Sequence, residues 1–272
     1  MGWTCAGTLS TAPTVCRAQS GRSPSSSLKA ESWLPDPIPG TQDRLSYSAG
    51  PTVDRPTSFP RDFQLILASQ SPRRHSLLRE IGVPFTVVPS AAEEVLEGGV
   101  ASVVAQENAL AKARGAVLPA DVGSGTFVLG TDTLVSLDSR VLGKPRSRDE
   151  AREMLELLSG RRHEVVSGVA LLRLGPAPHG GEVAMRVASA VTEVTFERLG
   201  RSHMEAYLAT GEWKDKAGAY AVQGLAGLFV RQVRGEYSNV VGLPYCLLAR
   251  LFRELGFDLL TGAWWQPQLK SL

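Results

Sequence analysis

From residue 61 onward, apolar and polar positions alternate in blocks that read as dense α/β. Leu65-Ile66-Leu67-Ala68 is a short apolar run and predicts a buried strand. Ser71-Pro72 then opens a helix, with Ser as N-cap and Pro at the first helical position. Leu77, Leu78 and Ile81 give that helix its inward face, and Gly82 ends it. Residues 85–88 predict a second strand. Residues 100–117 predict a helix with Val103, Val104, Ala111 and Lys112 along it. Residues 126–129 form another buried run, leading into Gly130-Thr131-Asp132-Thr133. Ser147-Arg148-Asp149-Glu150 is a capping box. The helix after it carries Met154, Leu155 and Leu158 and stops at Gly160.

Residues 164–172 and 182–196 hold alternating apolar positions, such as Val183, Met185 and Val187, and predict half-exposed antiparallel strands. Ser202-His203-Met204-Glu205 is a second capping box, with Gly211 as the stop. Residues 228–233 predict a strand. Pro244 starts a last helix with Leu247, Leu248, Leu251 and Leu255 facing inward, and Gly256 closes it. Residues 257–272 read as an irregular tail containing Trp264 and Trp265. There is no internal repeat. The expected fold is α/β: a two-lobed, mixed, twisted sheet flanked by helices, with a central cleft.

Residues 1–60 break this pattern. They hold 8 of the 17 prolines and 10 serines, with few large apolar residues and no helical or strand period. Such a segment buries too little apolar surface to offset its ordering entropy, so disorder is expected. Residues 1–30 have no acidic residue and carry Arg17, Arg22 and Lys29 among many Ser and Thr, as an organellar transit peptide does. The amphipathic Arg-rich helix of such peptides is missing, however. A non-structural extension, or a start placed too far upstream, explains the segment equally simply. The start Met-Gly-Trp-Thr-Cys-Ala lacks the Ser or Thr that a myristoylation motif wants at position six. The chain therefore divides into an extension at 1–60, a domain at 61–256 and a tail at 257–272. The expected location is the cytoplasm, or a plastid or mitochondrion if residues 1–60 are a transit peptide.

Composition narrows the function classes. Of 272 residues, 29 are Lys or Arg and 27 are Asp or Glu, and the formal net charge is +2. That balance gives no electrostatic footprint for nucleic acid. No apolar run approaches the ~18 residues of a membrane-spanning helix. Neither nucleic acid nor membrane is an expected partner. Cys5, Cys16 and Cys246 lack CxxC spacing, which argues against a disulfide scaffold and a structural zinc site. Cys246, in Tyr-Cys-Leu-Leu, is expected in the core. The histidines at 75, 163, 179 and 203 show no ligand spacing, and surface roles suffice for His163 and His179. The P-loop, the Rossmann GxGxxG, GxSxG and HExxH are all missing.

Three stretches carry chemistry. The first is Ser69-Gln70-Ser71-Pro72-Arg73-Arg74, between a strand and a helix. Arginines are unfavourable at the positive end of a helix, so two in a row suggest that an anion completes the site. Their planar donors suit phosphate oxygens. The alternative is a pair of solvated arginines on an ordinary helix start. The second is Asp132, placed after a buried strand where open α/β sheets bind ligands. It can hold a metal and orient or deprotonate water, or simply form a local turn with Thr133. Glu93 and Glu94 offer a further metal-ligating carboxylate, or a solvated acidic loop. The third is the run of residues 211–224, dense in small and charged residues. Its glycines allow close backbone approach, while Lys216 and Gln223 can read phosphate and a base edge. Lys112 and Lys144 are further candidate phosphate partners, each also explained alone as a solvated lysine.

Six motifs occur in one order: Leu-Ala-Ser-Gln-Ser-Pro-Arg-Arg, Gly-Thr-Asp-Thr, Leu-Gly-Lys-Pro, Leu-Ser-Gly-Arg-Arg-His, Asp-Lys-Ala-Gly-Ala-Tyr-Ala-Val-Gln-Gly and Asn-Val-Val-Gly-Leu-Pro. Together they closely resemble the Maf family of nucleotide pyrophosphatases, over about residues 63–256. The resemblance implies a two-lobed α/β fold with a cleft, and frequent homodimers. It also implies dependence on a divalent metal, with magnesium, manganese or cobalt as candidates. The implied reaction is hydrolysis of a nucleoside triphosphate to the monophosphate and pyrophosphate. By position, Asp132 matches the family's catalytic aspartate and Glu94 an acidic active-site position. Ser69, Arg73 and Arg74 match its triphosphate turn, and Lys112 and Lys144 its cleft lysines. The branch acting on 7-methyl-GTP has Trp where this chain has Arg73, Gln at Thr133 and Glu at Gln223. Arg73, Thr133 and Gln223 thus resemble the dTTP/UTP branch. Thr131 stands where the family more commonly has Ala. The alternative carried beside the enzyme is a non-catalytic nucleotide-binding regulator of cell division.

Overall fold

In chain order the elements are β1 (Gln64–Leu67), α1 (Pro72–Glu80), β2 (Thr86–Val87), α2 (Ala101–Arg114), β3 (Thr126–Leu137), β4 (Arg140–Leu142) and α3 (Arg148–Leu158). They continue with β5 (Arg162–Leu174), β6 (Glu182–Phe196), α4 (Arg201–Thr210), β7 (Val230–Arg234), α5 (Tyr237–Val241), α6 (Tyr245–Glu254), β8 (Phe257–Asp258) and β9 (Ala263–Trp264). The computed structural model describes residues 59–95, 99–119, 122–123, 125–175 and 181–264. The expectations for residues 1–58, His179 and Trp265 lie outside them.

A seven-stranded mixed sheet runs β2-β1-β3-β5-β6-β7, with β4 folded back on β3. β1 is parallel to both its neighbours, and the remaining pairs are antiparallel. β3 and β5 form the spine, paired from Phe127–Arg173 to Ser136–Glu164. Their apolar residues feed different cores. Phe127 and Leu129 pack with Leu65, Leu77, Leu243 and Phe252. Val135 and Leu137 pack with Leu155, Phe196 and Tyr220. Two lobes therefore share one pair of strands, and the residues between the two cores are 130–133.

β1 stops at Leu67, opposite Leu129, while β3 continues to Leu137. Gly130-Thr131-Asp132-Thr133 is therefore not a turn after a strand: Asp132 pairs with Gly168 of β5 in mid-strand. Pairing with β5 overrides the turn-like composition of these residues. The stretch still begins where the parallel strand β1 ends, the ligand side of an open α/β sheet.

α2 lies directly on this stretch. A Cβ on Gly130 would meet the Ala109 carbonyl oxygen at 2.0 Å, and one on Gly168 would meet that of Ala105 at 2.0 Å. Buried Ala101, Ala105, Ala109 and Ala113 repeat every four residues along the helix. Helix backbone and strand backbone touch because neither side carries a large side chain there.

Other expectations shift for local reasons. The Ser147 cap forms, with Ser147 Oγ accepting from the Glu150 N–H at 3.1 Å, while Glu150 accepts from the Arg146 N–H at 2.7 Å, one residue before the cap. The second box does not form. α4 starts after Gly200, which puts Ser202 inside the helix, and Glu205 instead accepts from Arg148 and Arg152 of α3. β5 is buried along most of its length rather than half-exposed, because it lies between β3 and β6. The run at 228–233 begins as a 3-10 turn, Leu225–Phe229, and only then becomes β7.

The segment after Gly256 is not wholly irregular. Phe257 is fully buried, and β8 pairs with β9. Phe59 stacks on Phe257 at 5.9 Å, so the aromatic core takes residues from outside the expected 61–256 boundaries. Cys246 is exposed, contrary to expectation. The inward face of α6 is Leu247, Leu248, Leu251 and Phe252, which turns Cys246 and Arg250 outward. His163, expected at the surface, is 2% exposed: its Nε2 bonds the Tyr220 hydroxyl at 2.9 Å, and its ring lies edge-on to Phe196.

Candidate active site

The turn from β1 into α1 is built around one hydroxyl. Ser69 Oγ accepts from the Ser71 N–H at 3.3 Å and from Arg74 Nη1 at 3.0 Å. Both acceptor positions are taken, so its own proton is available to another group. Ser71 occupies the N-cap position of α1, but its side chain makes no capping bond. The first N–H groups of that helix thus have no side-chain acceptor, as at an anion-binding helix start.

The two arginines differ. Arg74 is buried, and its guanidinium is divided among Ser69, the Gly242 carbonyl at 3.0 Å and Thr133 Oγ1 at 3.1 Å. Thr133 Oγ1 also shares a hydrogen bond with Ser167 Oγ at 2.9 Å. Arg73 is half-buried and donates through Nε to the Val241 carbonyl at 3.3 Å. Burial lowers its pKa, with Asp215 opposing. Its remaining donors border the cleft.

Asp132 is 3% exposed. Its Oδ1 accepts from Lys112 Nζ at 2.6 Å and its Oδ2 from Asn108 Nδ2 at 2.9 Å. Lys112 also donates to Glu94 at 2.7 Å, and Lys144 donates to both Glu94 oxygens at 2.8 and 2.9 Å. One ammonium therefore joins the two carboxylates. Burial opposes the charge on Glu94, but hydrogen bonds from Lys112 and Lys144 outweigh it and hold its carboxyl at about 2. Glu93 is exposed and makes no ion pair among the described residues.

Ser69, Arg73, Arg74, Glu94, Lys112, Asp132, Thr133, Lys144, Lys216 and Gln223 all line one cleft of about 620 Å³. Lys216 and Gln223 come from the segment around the 3-10 turn Ala217–Ala219. Burial and the neighbouring Arg73 lower the Lys216 pKa, against Asp215 and Glu212. Asn108 and Ser167 are polar neighbours of the site that the sequence reading missed. The available signal for Asn108 was its spacing of one turn from Lys112 in an alanine-rich helix. Thr131 points its hydroxyl into the interior, where it finds no partner among the described residues.

No group of three or more His, Cys, Asp or Glu side chains able to hold a metal occurs among the described residues. Asp132 and Glu94 supply two hard oxygen donors, both of which converge on Lys112 Nζ. That donor set fits an ion of the magnesium type, which takes one or two carboxylates and completes its shell with water and substrate phosphates. Among the described residues, no helix is long and apolar enough to cross a membrane.

Residues 64–255 match the family model described as Maf-like protein. The chain is 47% identical to a dTTP/UTP pyrophosphatase of Anaeromyxobacter dehalogenans over 205 residues, covering 75% of this chain and 98% of that one. It is 47% identical to a dTTP/UTP pyrophosphatase of Thermococcus gammatolerans, over 72% of this chain and 99% of the relative. A third, from Symbiobacterium thermophilum, is 43% identical over 73% of this chain and 97% of its own. Among solved structures, the Staphylococcus aureus Ham1 protein aligns with 49% of this chain and 71% of its own, at TM-score 0.31 and 15% identity.

Proposed function

The chain belongs to the Maf-like protein family, and from that premise we propose that it hydrolyses dTTP and UTP to the monophosphate and pyrophosphate. The observation that carries this reading is the cleft itself: a buried carboxylate held by two donors, surrounded by cations spaced along one groove. Arg73, Lys112, Lys144 and Lys216 offset the charge of a triphosphate, which otherwise repels an incoming oxygen. The Ser69 hydroxyl and the uncapped start of α1 add neutral donors to the same wall. Donors fixed before substrate arrives need little reorganisation as charge develops, the usual source of phosphoryl-transfer rate.

In this mechanism Asp132 accepts the proton of the attacking water. Two of its lone pairs are taken by Lys112 and Asn108, which leaves others for that role. The water oxygen bonds the α-phosphorus, the bond from that phosphorus to the bridging oxygen breaks, and pyrophosphate departs towards the lysines. A divalent cation is the cofactor this chemistry uses. Asp132 and Glu94 would hold it, and it would supply further neutralisation of the phosphates.

Asp132→Asn tests the reading, with monophosphate and pyrophosphate both measured from dTTP and UTP. The amide is nearly isosteric but a poor proton acceptor. Turnover is expected to fall by at least about 10²-fold, the low end of what general-base catalysis contributes. Turnover within threefold of wild type would remove Asp132 from the mechanism.

A further inference from the structure

We infer that Asn108 is a positioning residue: it sets the orientation of the Asp132 carboxylate and ties it to the loop that carries Glu94. Asn108 is 2% exposed, on a helix face whose other buried residues are alanine, valine and Lys112. An apolar side chain would serve packing there at no polar cost, whereas a buried amide is tolerated only when its groups are bonded. Every polar group of Asn108 is engaged. Nδ2 donates to Asp132 Oδ2 at 2.9 Å and to the Val95 carbonyl at 2.8 Å, while Oδ1 accepts from the Val95 N–H at 2.9 Å. This set fixes the amide's orientation, because a flip would face its oxygen towards two acceptors.

The consequence for Asp132 is mechanical. Lys112 holds one oxygen and Asn108 the other, from positions one helical turn apart on α2. Contacts at Gly130 and Gly168 fix the height of α2 above β3 and β5. The carboxylate is therefore gripped from both ends, its plane cannot rotate, and its free lone pairs keep one direction. The same amide pairs with both the N–H and the C=O of Val95, next to Glu94. Asn108 thus fixes the distance between the two carboxylates from the backbone side, as Lys112 does from the side-chain side. The inference rests on the reading of Asp132 as the catalytic carboxylate.

Two substitutions test it. Asn108→Leu keeps volume and removes all three bonds. Asn108→Asp keeps an acceptor for the Val95 N–H, loses both donations and sets a second carboxylate against Asp132. Each is compared with wild type for kcat and KM on dTTP, and for the affinity of a non-hydrolysable α,β-methylene analogue of dTTP. Asp132→Asn is measured in parallel. The expected result for both Asn108 variants is a kcat loss of about 10–100-fold, typical of removing a partner that orients a reacting ligand. KM and analogue affinity should stay within about threefold. Asn108→Ala, which removes the amide without adding charge beside Asp132, answers the question if the leucine variant fails to fold. Full kcat in a folded variant, with Asp132→Asn inactive, overturns the positioning role alone. Equal losses in kcat and analogue affinity show a damaged cleft and also overturn it. An active Asp132→Asn overturns both this role and the mechanism beneath it.

Discussion

Arg74 Nη2 donates to Thr133 Oγ1 at 3.1 Å, and this bond joins the helix after β1 to the open stretch of β3. The other Arg74 donors reach Ser69 and the Gly242 carbonyl, so the second arginine of the pair serves as a brace across three segments. Arg73, beside it, is the arginine with donors to spare. The sequence reading gave both the same role, and the geometry divides them.

Exchanging each arginine should produce opposite results. A lysine at 74 presents its donors from one point and cannot span the three acceptors. Arg74→Lys is expected to cost about 1–3 kcal/mol of unfolding free energy, the penalty for buried groups left without partners. Arg73→Ala should leave stability within about 0.5 kcal/mol and lower kcat/KM for dTTP about 10-fold or more, as loss of a charge-assisted phosphate contact does. Urea unfolding and steady-state kinetics on both variants decide it; a stable Arg74→Lys with a destabilised Arg73→Ala would reverse the assignment.

The contact between α2 and the sheet is equally testable. A Cβ at Gly130 would lie 2.0 Å from the Ala109 oxygen and 2.7 Å from the Ala113 nitrogen, both backbone atoms that cannot turn aside. Gly130→Ala must therefore lift the helix, and Lys112 and Asn108 with it, away from Asp132. Destabilisation above about 3 kcal/mol is expected, in the range reserved for severe core strain, with turnover lost in parallel. Gly123→Ala, where nothing lies within 4 Å, is the control and should be close to neutral. Similar melting curves for the two variants would contradict the close packing.

These cases show which features the sequence made legible. The Ser69–Arg74 turn could be read because helix-start chemistry is local: Pro72, the helix dipole and two arginines lie within one turn. Asp132 stands out in the sequence as a candidate, yet its mid-strand backbone does not. Gly-Thr-Asp-Thr looks like a turn until β5, more than thirty residues later, pairs with it. Asn108 was missed for the same reason. A polar residue in a helix gains meaning only when the strand it faces is known. Cys246 and Arg250 face outward because the apolar stripe of α6 passes beside them, a periodicity that the run Tyr-Cys-Leu-Leu alone conceals.

His163 gives the protein a defined acid response. Burial lowers its pKa from 6.5 to about 4. Between those values the unfolded chain binds the proton and the folded chain does not. Stability is therefore unaffected by this group above about pH 6.5 and falls as pH drops towards 4. The slope is about 1.4 kcal/mol per pH unit, or about 3 kcal/mol in all. His163→Gln should flatten that part of the curve of unfolding free energy against pH. A variant as acid-sensitive between pH 6.5 and 4 as wild type would exclude His163 as the source.

The last prediction concerns base selectivity. Gln223 lines the same cleft as Asp132, and its loop is braced by another residue. Glu212 accepts from the Leu225 and Ala226 N–H groups at 3.0 and 3.3 Å, and its carboxylate lies where a Cβ on Gly224 would be. With the backbone held by Glu212, the Gln223 amide is not needed as a brace. It offers both a donor and an acceptor, and so matches a pyrimidine edge with a carbonyl oxygen and a ring N–H. A carboxylate at that position only accepts, and it would repel the pyrimidine carbonyls. Gln223→Glu is therefore expected to lower kcat/KM for dTTP and UTP by about 10²-fold or more, since a site built on hydrogen bonds discriminates strongly against a mismatched partner. Stability should stay within about 0.5 kcal/mol, as for surface changes. Kinetics on dTTP, UTP, GTP and 7-methyl-GTP separate the roles. A loss confined to the pyrimidines supports base reading. Equal losses on all four would assign Gln223 to the architecture of the loop, despite the brace that Glu212 provides.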